Sequence, residues 1–537
     1  MMDEEDPKME SEPNSENVSH SEMRAILWGR QLSRSQSDPQ RVSEFTEHET
    51  GFGKMKRPTS LSDEWKELQK IKMTKNPITE TLLPHTQNLQ SRRSIWKNFL
   101  SLCGGLMLAF MSFLPLRNIQ SSIYPIDNLG TICLSSMYAA FIVGCTISPW
   151  LVQNARPKGL ILLAVASHVF YVAANLYPSY LTLIPASVIF GFLQAPLWSV
   201  QELLIGSYGS SYSAITGIRV DRSIRQFQSV FVIFCHCAQI LGNLIESLVL
   251  NYGTVENKHI LNKTYYSLNH DNCSENCVGK FGYHMKRPNE IEEQIDYLEI
   301  LKFIYLAFSC FAMILIGFCL RKPDIILNKR KMSLLEKLGD VLSFFRTKSC
   351  AMIGLLMVFT GMQQAVVISD VTMVYGTEKL GLSTVGYMMM CYGTCQLATL
   401  LLLERMQRRF RPIVFILKGF LITLGLLILL YVWEPRDNSV LTIFGFMALW
   451  GATDAVWQSQ IQNILITSTT KRESAVVCFR ICQGFGLTVV FLSSLWLSLL
   501  YKVCMVGATL VFGVMGYMLL EVTNNPVTPL DPEPFPL

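Results

Sequence analysis

Gly191-Phe-Leu-Gln-Ala195, with Trp198 and Gln201 behind it, returns in the second half of the chain as Gly451-Ala-Thr-Asp-Ala455, with Trp457 and Gln460 behind it. Each copy lies inside an apolar run of roughly 20 residues or more, enough to cross the hydrocarbon core of a bilayer. Three more echoes keep the same order. Gly105–Phe110 returns as Gly354–Phe359, Arg156-Pro157 as Arg411-Pro412, and Gln239-Ile-Leu-Gly242 as Gln483-Gly-Phe-Gly486. Ordered self-similarity between two halves marks a duplicated structural unit. Inside a membrane it predicts two homologous helical bundles side by side, the plan of many secondary transporters.

Twelve apolar runs extend outward from these echoes: 96–116, 129–150, 159–177, 179–205, 227–250, 300–320, 350–374, 383–403, 413–433, 440–466, 474–499 and 502–521. The duplication divides them six and six. The expected fold is therefore an all-α membrane protein of twelve transmembrane helices in two six-helix pseudo-repeats. Composition agrees, with half of the 537 residues hydrophobic, 16% charged, and 30 Phe and 24 Met to face lipid and neighbouring helices. The expected organisation is a polar tail over 1–93, a first bundle over 94–320 and a linker over 321–349. A second bundle over 350–521 and a Pro-rich tail over 522–537 complete it.

Lys and Arg set the orientation. One side gathers Arg156, Lys158, Arg219, Arg222, Arg225, the cluster from Arg321 to Lys348, Arg405, Arg408, Arg409, Arg411, Lys471 and Arg472. The opposite loops offer Arg117, Lys379, Arg436 and Lys502. The first side is expected to be cytoplasmic, with both termini there. These loops account for the formal charge of +5, so the charge does not point to nucleic acid. The first 93 residues lack the pattern of a secretory signal peptide, so the first span is expected to direct insertion.

Most of the 15 Cys lie within apolar runs, where they read as packing. Cys273 and Cys277 differ, because the loop 251–298 is expected to be exoplasmic and oxidising, which makes them a candidate disulfide. The same loop carries the glycosylation acceptors Asn262-Lys-Thr264 and Asn272-Cys-Ser274. Metal binding by His270, Cys273, Cys277 and His284 is disfavoured by their spacing. In the N-terminal tail, Ser33, Ser35, Ser37 and Ser60 are candidate phosphorylation sites. Arg34-Ser-Gln-Ser37-Asp-Pro39 has the spacing of a phosphoserine motif read by 14-3-3 proteins. Residues 62–71 place Trp65, Leu68 and Ile71 on one side of a short helix.

Ionisable groups within apolar runs cost several kcal/mol and usually face a cavity or a partner. Here they are Glu202, Glu246, Asp370, Asp454 and Arg480. They concentrate on spans 4, 5, 10 and 11, with Asp370 on span 7, and all five are candidates for a central cavity or coupling site, with Gln201 and Gln460 beside them. Structural readings stand alongside. Asp454 can simply neutralise Arg480, Glu202 and Glu246 can lie near the membrane surface, and the glutamines can be interhelical glue. No phosphate loop, zinc motif or nucleophile elbow supports an enzyme, and no cofactor or metal is expected. A potassium-channel selectivity filter is also missing.

Three short segments resemble the uncoordinated-93 (Unc-93-like) family. Leu116-Arg-Asn-Ile-Gln120-Ser121-Ser-Ile123 is similar to its first-span signature. Leu197-Trp198-Ser-Val-Gln201 is similar to its fourth-span motif, and Gly242-Asn243-Leu-Ile245 to its fifth. The resemblance covers roughly 95–521. It departs at Glu202, where the family usually has Gly. It implies a major-facilitator-like fold. It also implies partnership more than transport, since one branch regulates potassium channels in muscle and another escorts nucleic-acid-sensing receptors to endosomes. The long exoplasmic loop makes the first branch the better fit, with a potassium channel subunit as partner and the plasma membrane as location. Two other readings remain open, a proton- or cation-coupled carrier and a trafficking chaperone for membrane receptors.

Overall fold

The computed structural model describes residues 92–125, 128–268, 288–321, 333–407, 409–432, 440–467 and 472–524, apart from the side chains of 255–268, 288–296, 466–467, 472 and 524. Twelve helices among the described residues are long and apolar enough to cross a membrane. In chain order the helices are α1 (Arg92–Ile123), α2 (Leu129–Asn154), α3 (Pro157–Ala174), α4 (Tyr180–Thr216), α5 (Val220–Leu268) and α6 (Pro288–Cys319). After the short connecting helix α7 (Leu334–Phe345) come α8 (Lys348–Leu380), α9 (Leu382–Met406) and α10 (Pro412–Val432). The last three are α11 (Val440–Thr467), α12 (Arg472–Ser493) and α13 (Leu499–Asn524). The fold is all-helical with six spans on either side of α7.

Local sequence sets the helix ends. Pro157 and Pro412 open α3 and α10, the first helical position, where a missing N–H loses no hydrogen bond. Ser179 caps α4 through a reciprocal box with Thr182, and Ser333 caps α7 the same way with Glu336. Gly381, at φ 94°, turns the chain from α8 into α9. Within α8, the stretch Val366–Thr377 is π-helical.

The packing repeats. In the first half α2 lies on α4, α1 on α5 and α6, and α3 on α4 and α6. In the second, α9 lies on α11, α8 on α12 and α13, and α10 on α11 and α13. The seam between the halves is built from α2 against α12 and α5 against α9, the same pair exchanged. Echoed glycines fix these crossings. A Cβ on Gly191 would come 1.9 Å from the Met137 carbonyl oxygen of α2, and one on Gly451 2.3 Å from that of Tyr392 on α9. Gly242 and Gly486 likewise press on the backbones of α1 and α8. One echo does not carry over, since Gly105 packs tightly on Ile316 of α6 whereas Gly354 has open space beside it.

We call the end where α1 begins, rich in Arg and Lys, the basic end, and the opposite one the far end. At the far end one apolar core is continuous across the seam, running from Phe113, Tyr171 and Phe190 into the second half through Val367, Val371 and Tyr392. At the basic end the first half has a core of its own, from Ile95 and Phe99 to Ile316 and Leu320. Helix α7 packs on both α12 and α2, bridging the halves there.

Several helices outrun the apolar runs, α4 to Thr216, α5 to Leu268 and α6 from Pro288, while α12 falls short of its run. Helix α12 stops at Ser493, with turns before α13 starts at Leu499. Lys502 consequently lies inside the last span and is buried, not in a loop. Candidate sites Ser33, Ser35, Ser37, Ser60, Asn272, Cys273 and Cys277, and the segment 62–71, lie outside the described residues. Asn262 falls on the described backbone of α5.

Candidate functional site

Asp454 is fully buried in α11 and has no cation within 4.0 Å among the described residues. Its carboxylate is held by neutral donors. From α8, Gln363 Nε2 donates at 2.8 Å and Gln364 Nε2 at 3.0 Å. From α9, the Tyr392 hydroxyl and Gln396 Nε2 each donate at 2.7 Å. Donors from two helices therefore converge on one carboxylate, and Gln396 follows Tyr392 by one turn on the face that Gly451 draws close. Hydrogen bonds to an ionised acceptor are about twice as strong as neutral ones, which offsets part of the burial cost. In the first half the echo of Asp454 is Gln194, whose amide reaches Ser167 and His168 at 3.4 Å. Only the second half holds a carboxylate here.

The cage continues toward the seam. Gln483 of α12 donates to Gln364 at 3.3 Å and accepts from Arg480 at 3.2 Å. Asp454 and Arg480 are therefore linked through two glutamines and do not form an ion pair. The Arg480 guanidinium lies over the Trp198 ring of α4, 4.9 Å from its centroid, and Phe110 stacks on that ring at 5.5 Å. Glu202, one turn after Trp198, lines the same small cleft as Arg480, with Cys145, Ser199 and Phe141. Its volume, about 10 Å³, suits one water. First-half and second-half charges thus face each other across the seam without direct contact.

The family-motif residues of α1 and α5 lie toward the far end, whereas Trp198 of α4 is the ring beneath Arg480. Asn118 donates to Asn243 at 2.9 Å, and Gln120 accepts from the Tyr171 hydroxyl. Ser121 donates to the Ser369 carbonyl, Thr372 donates to that of Asn118, and Ser122 bonds Thr377 at 2.9 Å. These three join the end of α1 to the π-helical part of α8, tying the halves together. A π-turn widens the helix and leaves irregular backbone geometry where such cross-links form.

Glu246 is a separate site. It is fully buried on α5, and among the described residues neither carboxyl oxygen has a partner. It lies against Gly386 of α9, within the seam. The surface reading of Glu246 does not hold. Asp370, in the π-helical stretch, pairs with Lys502 of α13, which also donates to Ser494 at 2.9 Å. Gln201 and Gln460 are buried outside the Asp454 cage. Trp198 faces the seam, whereas Trp457 is core, its indole donating to Thr423 at 3.0 Å.

Sequence alone does not single out Gln363, Gln364, Tyr392, Gln396 or Lys502. The adjacent glutamines in the middle of span seven are the available signal. Among the described residues no group of three or more His, Cys, Asp or Glu side chains is placed to hold a metal ion.

The profile of the family described as "Ion channel regulatory protein UNC-93" matches residues 126–518. The chain belongs to the UNC-93 family. It is 27% identical over 446 residues to protein unc-93 homolog A of Homo sapiens, covering 81% of this chain and 96% of that one. Over 445 residues it is 21% identical to the Caenorhabditis elegans protein named "Putative potassium channel regulatory protein unc-93", covering 80% of this chain and 61% of the other. The solved structure of the nucleoside transporter NupG matches with a TM-score of 0.55 at 10% identity, over 81% of this chain and all of that one. That likeness shows the fold, which is the major-facilitator one. This UNC-93 family member is a multi-pass membrane protein.

Proposed function

We propose that this UNC-93 family member is an accessory regulator of a potassium channel complex, lying in the plasma membrane with its basic end and both termini in the cytoplasm. The observation that carries the reading is the state of the seam. Its far end is closed by a continuous apolar core and by the α1–α8 hydrogen bonds, and the cleft at Glu202 and Arg480 takes one water. Sites for organic ligands usually enclose roughly 300–1,000 Å³. A cleft of that size suits a protein that acts on a neighbour more than one that carries an organic solute. The name of the worm relative supports the choice of neighbour. The positive residues at the basic end support the orientation.

The test is reconstitution of the full chain with potassium channel subunits. Stable co-purification and a changed channel current, with no solute flux in liposomes by the protein alone, is the expected result. Flux by the protein alone without any channel association would overturn it.

A second reading, a proton- or cation-coupled carrier, is favoured by the Asp454 cage, a buried carboxylate linked by glutamines to the seam. It requires that Asp454→Asn abolish flux in liposomes while the protein remains folded.

A further inference from the structure

Helices α1 and α6 cross at Gly105, where a Cβ would come 2.3 Å from Ile316 of α6. Beyond the crossing α6 soon ends at Cys319, while α1 runs on to Arg92. Among the described residues, a groove of about 550 Å³ lies along the face of α1 that α6 leaves uncovered, lined by Arg93, Trp96, Lys97, Leu100, Ser101 and Leu315.

Its chemistry is graded along the membrane normal. Helical rise puts Lys97 about 12 Å and Arg93 about 18 Å from Gly105. The crossing lies one turn from the end of α6, whose last carbonyls accept from Lys158 Nζ, so the hydrocarbon boundary falls between Gly105 and Lys97. The two cations therefore stand at the level of lipid headgroups. They are four residues apart on one face, both are exposed, and no acidic partner is seen for them among the described residues. Deeper in the membrane, Leu100 of α1 and Ile314 of α6 are about half exposed, and Phe318 almost fully so. Trp96 is fixed between these levels by stacking on Phe227 at 4.7 Å. A fork of two cations above an apolar track is complementary to a phosphate that carries an acyl chain.

We propose that this groove is a binding site for an anionic phospholipid, with its headgroup phosphate between Arg93 and Lys97 and an acyl chain along Leu100 and Leu315. Basic pockets between membrane helices on the cytoplasmic side suit such headgroups. None of its lining residues belongs to the Asp454 cage or to the cleft at Glu202, and the site stands whether the protein regulates a channel or carries a solute.

The test is native mass spectrometry of the purified full chain titrated with dioleoyl phosphatidylinositol 4,5-bisphosphate or dioleoyl phosphatidylcholine. Retention of the anionic lipid by the wild type is expected, with an affinity loss of roughly tenfold to thirtyfold in Arg93→Gln/Lys97→Gln. Leu315→Trp, which fills the apolar wall while keeping both charges, is expected to weaken retention as well. Arg405→Gln/Arg409→Gln, at exposed positions of the same basic end, should leave it unchanged. An equal loss in that control means general charge attraction and overturns the site. Equal binding of soluble inositol trisphosphate means a phosphate site without a lipid, and also overturns it. So does the absence of any preference for the anionic lipid in the wild type. Variants are compared only where their elution and thermal midpoints match the wild type. If the charge-pair variant does not fold, retention by Leu315→Trp decides, and undiminished retention there overturns the site.

Discussion

Tyr392 and Asp454 are joined by a side-chain hydrogen bond that a neighbouring backbone contact brings within reach. Gly451, three residues before Asp454, rests on the Tyr392 carbonyl, so that no side chain can be added there. The Tyr392 hydroxyl, reaching from α9 to α11, donates to Asp454 Oδ2 at 2.7 Å. The first contact makes the second reachable. A glycine echoed in both halves for packing has, in the second half alone, become the support of a buried carboxylate.

Removing that carboxylate should cost more than removing its charge. Asp454→Ala leaves the amides of Gln363, Gln364 and Gln396 and the Tyr392 hydroxyl facing an apolar space. We expect a loss on the order of 2–4 kcal/mol. Asp454→Asn keeps one oxygen acceptor and should fall between Ala and wild type. Thermal unfolding of the purified variants in detergent measures the order, and an Asn variant worse than Ala would contradict the cage.

The glycines divide into two kinds. At Gly451 even a methyl group would meet backbone at 2.3 Å, so Gly451→Ala should force α9 and α11 apart and lower the yield of folded protein. At Gly354 nothing lies within 4 Å, and Gly354→Ala should stabilise by up to about 1 kcal/mol through helix propensity. Detergent-resistant monodisperse protein, quantified for the pair, checks both. Equal behaviour of the two variants would mean that the crossings do not depend on glycine.

This contrast also explains what was legible in the sequence. Twelve spans and two halves could be read because apolar length and repeated order survive divergence. Three of the echoes mark crossings or helix starts: Gly191 with Gly451, Gly242 with Gly486, and Pro157 with Pro412. Gly354 shows that a matched letter need not be a matched contact. The site was less legible. Asp454 and Arg480 stood out as charges, but the glutamines between them looked like any polar residue in a span. Which of them meet depends on helix rotation, and sequence spacing does not give rotation between helices. Lys502 was hidden for a different reason, because an apolar turn after Ser493 read as a continuing helix and placed the lysine outside the membrane.

Asp370 and Lys502 form a buried pair between α8 and α13, with Ser369 donating to the carboxylate at 3.1 Å and Ser494 accepting from the ammonium. Losing one partner strands the other charge. Asp370→Asn and Lys502→Met should each destabilise by about 3–5 kcal/mol. The double variant should recover most of that loss, since no charge then remains unpaired. A double-mutant cycle on thermal stability reads the coupling directly. Additive losses would show that the pair is not coupled.

Glu246 presents the opposite case, a buried carboxyl group with no partner to lose. Among the described residues, both of its oxygens and the hydroxyl of neighbouring Ser247 lack hydrogen bonds, and the group faces Gly386 across the seam. An unsatisfied polar group in such surroundings costs about 1–3 kcal/mol. Glu246→Leu, similar in volume and without polar atoms, should therefore raise the thermal midpoint. Glu246→Ala should not, because the cavity it leaves offsets the gain. The same seam must part if the halves rock, so the stabilised leucine variant should also respond less to the channel partner or carry less flux. A lower midpoint in Glu246→Leu would mean that a donor does reach the carboxyl group. A higher midpoint with function intact would make Glu246 a packing residue and remove it from the coupling path.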